Sequence, residues 1–466
     1  MFTYKFSAIK IAPYCDYDEN EHLLFATIFI FSSTVLLILQ KRVVCMARVH
    51  CSNELIVVTA KTAVTIFSFE VNDAELKLKQ QKVLDVDIAV DEIPKLSDGA
   101  KTSEDGKKNG CGESSCKAAN NDHDDRRKAK NENRPREIGK QILASGFSED
   151  GLLFAVVTSM KTCLVYDTQH DWKLHRRAFR FPKAPAAITF DRDKSHVIVA
   201  DRSGNICRYK LDECANSITN VHVDINGEES CYEGEPLLGH MSMVLDVALS
   251  DDGRFVLSGD RDEKLRISRY PQSFIIHRFC LGHTSYVSSV CVVAQFAFTS
   301  GGDGTIRAWN IEEGTTVAVL DRFAKKPICC MRKYHSAKVD PQEMIKLAIV
   351  LDGSAIVNIV TFDARNSLFD VMCELNAPSN MVDVAFCDPH HVVAVTNSSI
   401  LFGEIKADGR LRVVDGIDDS LVTNLREANN GLPCLEKRIG FDNVGEYQQR
   451  KNERIRNRKR KAHDSE

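Results

Sequence analysis

The sequence lacks the short motifs that accompany the commonest catalytic sites. Its 466 residues contain no phosphate-binding G-x-x-x-x-G-K-[ST] segment, no G-x-S-x-G nucleophile turn and no matched set of metal ligands. Such motifs hold a phosphate, an activated serine or a metal ion where chemistry occurs. Their absence argues against intrinsic catalysis, and we expect neither a cofactor nor a metal site.

The chain also has little net charge, formally −4 at pH 7. It is therefore not a polyanion-binding molecule as a whole. Its 16 cysteines are scattered without paired spacing, as is typical of small buried side chains in a reducing compartment. Cys111, Cys116 and His123 lie in a polar segment with no second matched pair, so the sequence predicts no zinc site there.

What the sequence does contain is an internal repeat. Gly239-His240 is followed from Ser258 by S-G-D-R-D-E-K-L-R-I-S-R, and Gly282-His283 from Ser300 by S-G-G-D-G-T-I-R-A-W-N. A Gly-His pair with a Trp or Ser near the other end, recurring at about 40 residues, is typical of WD-type β-propeller blades. Apolar, β-branched runs in the first repeat predict strands at 244–249, 255–258, 265–269 and 274–279.

Weaker copies of the second and third strands flank this pair. They begin near Leu55, Phe154, Val197, Leu347 and Val392. Together these copies predict an all-β, seven-bladed WD-repeat β-propeller over residues 46–410. Six blades are the alternative, because the first and last copies are degenerate.

The strong repeats also predict a buried hydrogen-bond chain. In WD-type blades it links the Gly-His histidine, a strand Ser or Thr, the turn Asp and the strand Trp. Here those residues are His283, Ser300, Asp303 and Trp309, and His240 begins the shorter equivalent chain one blade earlier. Buried polar groups must be paired, since each unpaired one costs roughly 1–3 kcal/mol. A Ser-His-Asp set also resembles a hydrolase triad, but the structural role is favoured.

Three segments fall outside the repeats. Residues 97–137 are polar and charged, which predicts a disordered insertion between the first two blades. Residues 1–45 form an N-terminal extension with an uncharged run at Leu23–Leu39. That run is at the lower limit for a membrane span. We expect instead that Met46 is the natural start and that no membrane is involved.

The C-terminal segment, 411–466, ends in a dense basic run. Its cations include Arg450, Lys451, Arg454 and Arg458. Such a run indicates a nuclear-import signal or a nucleic-acid contact, and a solvated tail with neither role is the alternative. We expect a nuclear protein whose tail contacts RNA.

Residues 239–283, above all the phrase from Asp260 to Arg266 with Ser268 after it, resemble the WD-repeat, non-catalytic subunit of the tRNA (guanine-N7-)-methyltransferase (the insect wuho type). Gly440–Val444 and Tyr447–Lys451 resemble the C-terminal segment of that family. The resemblance implies a propeller without an active site. Its partner is a catalytic subunit that binds S-adenosylmethionine, and the pair forms 7-methylguanosine in tRNA, which is held through the complex.

The charged turn, which we define as Asp260–Arg266, supplies the candidate partner contacts. They are Arg261, Asp262, Glu263, Lys264 and Arg266. Arg266 is expected to pair with Glu263 or with a carboxylate of the partner, and the alternative is a solvated turn. Because one fold serves many functions, a propeller adaptor in chromatin, ubiquitin ligation or signalling remains the competing interpretation.

Overall fold

A computed structural model of the chain describes residues 36–37, 47–52, 55–72, 75–86, 141–175, 178–211, 220–223, 229–232, 234–334, 344–407, 409–428 and 435. These residues form seven antiparallel sheets arranged as the blades of a β-propeller, followed by an α-helix. The predicted all-β fold and its seven blades are confirmed. The predicted insertion at 97–137, the basic tail and most of the extension 1–45 lie outside the described residues.

The first three blades take their strands in chain order. Blade 1 has β2 (Arg48–Ser52), β3 (Leu55–Ala60), β4 (Ala63–Asn72) and β5 (Glu75–Asp85), with β1 (Leu36–Leu37) paired to β2. Blade 2 has β6 (Ile142–Phe147), β7 (Leu153–Thr158), β8 (Thr162–Asp167), β9 (Lys173–Leu174) and β10 (Phe179–Arg180). Blade 3 has β11 (Pro185–Phe190), β12 (His196–Asp201), β13 (Asn205–Lys210) and β16 (Glu235–Gly239), interrupted by the hairpin β14 (Asn220–Val223) and β15 (Glu229–Tyr232).

The remaining four blades are regular. Blade 4 has β17 (Val244–Leu249), β18 (Phe255–Asp260), β19 (Lys264–Arg269) and β20 (Ile276–Leu281). Blade 5 has β21 (Val287–Val293), β22 (Phe296–Gly301), β23 (Ile306–Asn310) and β24 (Thr316–Leu320). Blade 6 has β25 (Ile328–Lys333), β26 (Ile345–Leu351), β27 (Ile356–Asp363) and β28 (Leu368–Asn376). Blade 7 has β29 (Met381–Phe386), β30 (His391–Thr396), β31 (Ile400–Glu404) and β32 (Arg412–Val413), and α1 (Asp419–Ala428) follows.

The core lies between neighbouring blades, because each sheet buries both faces. Phe298 of blade 5, for example, packs against Phe362 of blade 6 with ring centroids 5.2 Å apart. Offset or edge-on aromatic pairs of this kind add roughly 0.5–1.5 kcal/mol beyond simple burial. The second and third strands of the blades carry buried side chains on both faces, and these are the strands whose copies were recognised in the sequence.

The first strands of blades 2 to 7 share a bulge after their first residue. In blades 4 and 7 an aspartate follows the bulge and reaches the next blade. Asp246 accepts the N–H of Val290 at 2.9 Å, and Asp383 accepts the N–H of Val49. These carboxylates therefore fasten blade 4 to blade 5 and blade 7 to blade 1.

The helix α1 covers the junction between blades 7 and 1. Asp418 caps its first turn by accepting the N–H of Ser420 at 3.3 Å. Leu421, Leu425 and Ala428 are buried on one face, as expected for apolar residues at i, i+4 and i+7. They pack in one cluster with side chains of both blades. The chain beyond residue 410 thus contributes β32 and this helix to the ring.

Candidate functional site: the charged turn of blade 4

In blade 5 a chain of hydrogen bonds is buried beneath the turn after β22. The indole N–H of Trp309 donates to Thr299 Oγ1 at 2.8 Å, and Thr299 Oγ1 lies 2.8 Å from His283 Nε2. The Asp303 carboxylate can only accept, so His283 Nδ1 carries the proton that is donated to it at 2.9 Å. The Thr299 hydroxyl accepts from the indole and has its own proton to donate to His283 Nε2.

The predicted serine of this chain is wrong. Ser300 Oγ has no hydrogen-bond partner among the described residues, and Thr299 takes the predicted role. Successive side chains of a strand point to opposite faces, so an error of one residue moves the hydroxyl to the other side of the sheet. The Thr299 hydroxyl is fully buried, which leaves no access for a substrate and excludes a hydrolase triad here.

Burial works to raise the pKa of the Asp303 carboxyl, but the hydrogen bond from His283 and two backbone N–H groups outweigh it. The pKa of Asp303 falls to about 2. The carboxylate is therefore ionised across the physiological range, and its role is to hold the imidazole in one tautomer.

In blade 4 the equivalent carboxylate belongs to Asp260. His240 Nδ1 lies 3.1 Å from Asp260 Oδ2, and His240 Nε2 lies 2.7 Å from Ser258 Oγ. The other oxygen of Asp260 accepts the N–H groups of Asp262 and Lys264. Glu263 then takes the left-handed conformation, with φ of 73°. Asp260 therefore both orients His240 and fixes the shape of the charged turn.

Arg266 does not project from the turn. Its guanidinium donates to Ser268 Oγ at 2.8 Å, to the Gly239 carbonyl at 2.9 Å and to the Ser273 carbonyl at 3.2 Å. Burial lowers the pKa of Arg266. The expected pairing with Glu263 or a partner carboxylate is thus replaced by internal bonds that tie β19 to the two loops flanking blade 4.

Leu265 is buried, whereas Arg261, Asp262, Glu263 and Lys264 are half-buried. Arg261 donates from Nε to the carbonyl of this chain's own Leu435 at 2.9 Å. Lys264 stands at the start of β19, directly opposite Leu281 on β20. Among the cations predicted to contact a partner, Lys264 therefore lies beside an exposed apolar side chain, Leu281.

Three exposed apolar residues belong to blade 4 or to the loop that leads into it. Leu281 is 65% exposed and Phe279, two residues earlier on the same face of β20, is 47% exposed. Met241 is fully exposed and follows His240 at the same end of the blade. We call Met241, Lys264, Phe279 and Leu281 the blade 4 surface. Exposed apolar residues gathered around a charge are typical of an interaction site.

The tail residues predicted to contact RNA lie outside the described residues: Arg450, Lys451, Arg454 and Arg458. So do Cys111, Cys116 and His123, where the sequence predicts no zinc site. Within the described part of the chain, no group of His, Cys, Asp or Glu side chains could hold a metal ion. No helix in that same part is both long and apolar enough to cross a membrane.

Comparison with solved structures supports the fold. A chain from a structure entitled "Crystal Structure of Mitotic Checkpoint Complex" aligns with a TM-score of 0.50 and 14% sequence identity, covering 88% of this chain and 100% of that one. At such low sequence identity the alignment supports the propeller architecture and nothing about function.

Comparison of sequences identifies the family. Residues 216–401 match the family described as tRNA methyltransferase TRM82 WD40 domain. The human tRNA (guanine-N(7)-)-methyltransferase non-catalytic subunit WDR4 is 33% identical over 275 residues, or 55% of this chain. The Caenorhabditis elegans tRNA (guanine-N(7)-)-methyltransferase non-catalytic subunit is 30% identical over 290 residues, or 61% of this chain.

The matched segments span 60% of the human protein and 67% of the C. elegans protein. The family match, residues 216–401, includes blades 4 and 5 and the charged turn. The chain belongs to the family of WD-repeat non-catalytic subunits of the tRNA (guanine-N7-)-methyltransferase.

Proposed function

We propose that this chain is a scaffold without catalytic activity, which binds an S-adenosylmethionine-dependent methyltransferase and supports formation of 7-methylguanosine in tRNA. Two features support a non-catalytic role. The relatives are named as non-catalytic subunits. In the described residues, the two His–Asp pairs with a hydroxyl neighbour in blades 4 and 5 are buried and committed to internal hydrogen bonds.

The blade 4 surface is the observation on which the partner proposal depends. It combines one cation, Lys264 on β19, with the apolar side chains of Phe279 and Leu281 on the outer strand β20 and of Met241 in the loop before β17. Burying one such leucine is worth roughly 1.5–3 kcal/mol. The matching surface of the catalytic subunit would bring a carboxylate to Lys264 and apolar side chains to its neighbours.

Arg266 and Asp260 support this surface from within. Asp260 sets the conformation of the turn that presents Lys264, and Arg266 ties β19 to the Gly239 carbonyl beside the loop of Met241. Their contribution to partner binding is therefore indirect, through the position of the surface.

A matched pair of substitutions tests the surface. Leu281→Asp on blade 4 and Leu368→Asp on blade 6 both alter an outer strand, at side chains 65% and 64% exposed. We expect Leu281→Asp to weaken binding to the catalytic subunit at least about tenfold, since about 1.4 kcal/mol corresponds to a factor of ten. Leu368→Asp should bind normally. Equal binding by both variants, at unchanged stability, would place the partner elsewhere on the ring.

The activity test uses the purified chain, the purified catalytic subunit and the two together. Methyl transfer from S-adenosylmethionine to guanine N7 of tRNA should require the catalytic subunit and rise when this chain is added. Methylation by this chain alone would contradict the scaffold role. Isolation of the chain from cells with other proteins, and without a methyltransferase, would favour an adaptor instead.

The basic tail carries two further parts of the proposal. The run containing Arg450, Lys451, Arg454 and Arg458 would direct the protein to the nucleus and add salt-dependent affinity for tRNA. Removing residues 450–461 should leave the heterodimer intact, reduce nuclear accumulation of a fluorescent fusion, and flatten the salt dependence of tRNA binding.

A further inference from the structure

In the part of the chain that the structure describes, blades 1 and 7 each use their own consecutive strands, and neither a shared strand nor a disulfide joins them. At their junction, the backbone N–H of Val49 donates to Asp383, Lys61 of blade 1 pairs with Glu427 of α1, and apolar side chains of both blades pack together. The described contacts between the first and last blades are therefore noncovalent.

Two cysteines meet at this junction. Cys51 lies on β2, two residues after Val49, and Cys387 follows the end of β29, four residues after Asp383. Both pack on the same apolar cluster where β2 meets β29, and the Cys51 thiol is close enough to raise the pKa of Cys387. Both are free and only partly buried, whereas Cys163, Cys280, Cys330 and Cys373 are buried.

We propose that Cys51 and Cys387 form an oxidation-dependent disulfide that joins blade 1 to blade 7. A peroxide is the oxidant. Its O–O bond breaks as the Cys51 sulfur is oxidised to the sulfenic acid, with release of one water. The Cys387 sulfur then attacks the Cys51 sulfur, the S–S bond forms, and the hydroxyl leaves with the Cys387 proton as a second water. The balance is two thiols and one hydrogen peroxide giving one disulfide and two waters.

The surroundings assign the two roles. Burial, then the thiol of Cys51, and the nearby carboxylate of Asp388 raise the pKa of Cys387. Asp388 is itself bound to His391 at 2.8 Å. Cys387 is thus kept as the protonated thiol until a sulfenic acid forms beside it, and it acts second.

The disulfide changes how the ring can open. In the reduced protein, blades 1 and 7 can part while every sheet stays intact. In the oxidised protein, residues 51 and 387 are linked, and the chain from the end of β2 to the end of β29 lies within the covalent loop. A cross-link stabilises chiefly by restricting the unfolded chain, and the effect grows with loop length.

The test uses the purified full-length chain treated with hydrogen peroxide, blocked with N-ethylmaleimide and digested without reduction. We expect a peptide pair linked through Cys51 and Cys387, and a rise in Tm of roughly 5 °C that dithiothreitol reverses. Cys51→Ser and Cys387→Ser should lose both effects. Cys207→Ser, a half-buried cysteine on blade 3, should keep both.

Reversal by dithiothreitol tests the wild-type chain, so the result does not depend on folding of the serine variants. Peroxide that leaves both thiols unlinked, or links either one to another cysteine, would overturn the proposal. A linked pair with no reversible rise in Tm would also reject it, because the bond would then not restrain the ring.

Discussion

Replacing Arg266 by leucine should damage the fold of blade 4 before it damages any contact with a partner. The guanidinium makes three hydrogen bonds, to Ser268 and to the carbonyls of Gly239 and Ser273. Leucine leaves the buried Ser268 hydroxyl and the buried Ser273 carbonyl without this donor, whereas the Gly239 carbonyl lies on an exposed residue. Each unsatisfied buried group costs roughly 1–3 kcal/mol, while removal of a desolvated charge returns part of that energy. We expect a net loss of about 2–4 kcal/mol.

For a domain of this size, a loss of about 2–4 kcal/mol lowers Tm by roughly 5–10 °C. Urea or thermal unfolding followed by circular dichroism measures the change directly. Binding to the catalytic subunit should then be close to normal at 4 °C, where the variant is folded, and fall at 37 °C. Arg266→Lys, which keeps the charge but loses the planar set of donors, should lie between wild type and leucine.

Lys264→Ala is the matched control, because Lys264 lies two residues away on the same strand and contributes its ammonium to the blade 4 surface. It should weaken partner binding at every temperature with little change in Tm. The reasoning would be refuted if Arg266→Leu kept wild-type stability and still lost its partner at 4 °C. Arg266 would then reach the partner itself.

Three further predictions concern the ring. Thr299→Val should cost roughly 1–3 kcal/mol in unfolding free energy, because Trp309 and His283 both lose their hydrogen bond to the Thr299 hydroxyl. Ser300→Ala should change the unfolding free energy by less than about 0.5 kcal/mol. Wild type should exceed Asp303→Asn in unfolding free energy by a constant amount above pH 4, and this difference should shrink by about 2 kcal/mol as the pH falls through 2. The reason is that the fold depresses the pKa of Asp303 from 3.8 to about 2. A difference that does not change with pH would contradict an ionised carboxylate. Leu425→Ala should cost about 2–5 kcal/mol by leaving a cavity between α1 and blades 7 and 1, measured by urea unfolding, and an unchanged midpoint would mean that the helix does not hold the junction.

The strands were largely predictable because a blade repeats both its apolar runs and its turns. In blade 4 the first strand, 244–249, has the bounds that the sequence predicts. The fourth differs, because Phe274 lies in the turn closed by the N–H of Ile275 donating to the Gln272 carbonyl, and β20 begins at Ile276. Apolar composition alone cannot separate an exposed turn from an edge strand.

The site residues were less predictable, and for identifiable reasons. Asp260 could have been found, since each buried carboxylate lies 20 residues after its histidine in both blades. Ser258 and Thr299 could not have been found in this way, because their spacings from the histidines are 18 and 16. Arg266 is buried against Ser268, which occupies the position that Trp309 has in blade 5. Because charged residues are rarely buried, its burial was not expected from the sequence.

The helix α1 has its own signal in the sequence, but a search for propeller repeats overlooks it. Asp418 precedes Leu421, Leu425 and Ala428, a capping residue followed by apolar positions at helical spacing. The blade 4 surface has no comparable signal. The exposure of Met241 and Leu281 depends on the tertiary arrangement of two loops and an edge strand, which a local sequence pattern does not encode.

Because every blade is built from one continuous stretch of chain, each can complete its pairing soon after that stretch leaves the ribosome, without waiting for distant sequence. Only the meeting of the two ends must wait, until the residues of β32 and α1 have been synthesised. A nascent chain arrested before that point would carry an open arc of finished sheets with bare apolar ends. Such an arc would expose apolar surface that chaperones bind, and it would be open to association with another incomplete chain.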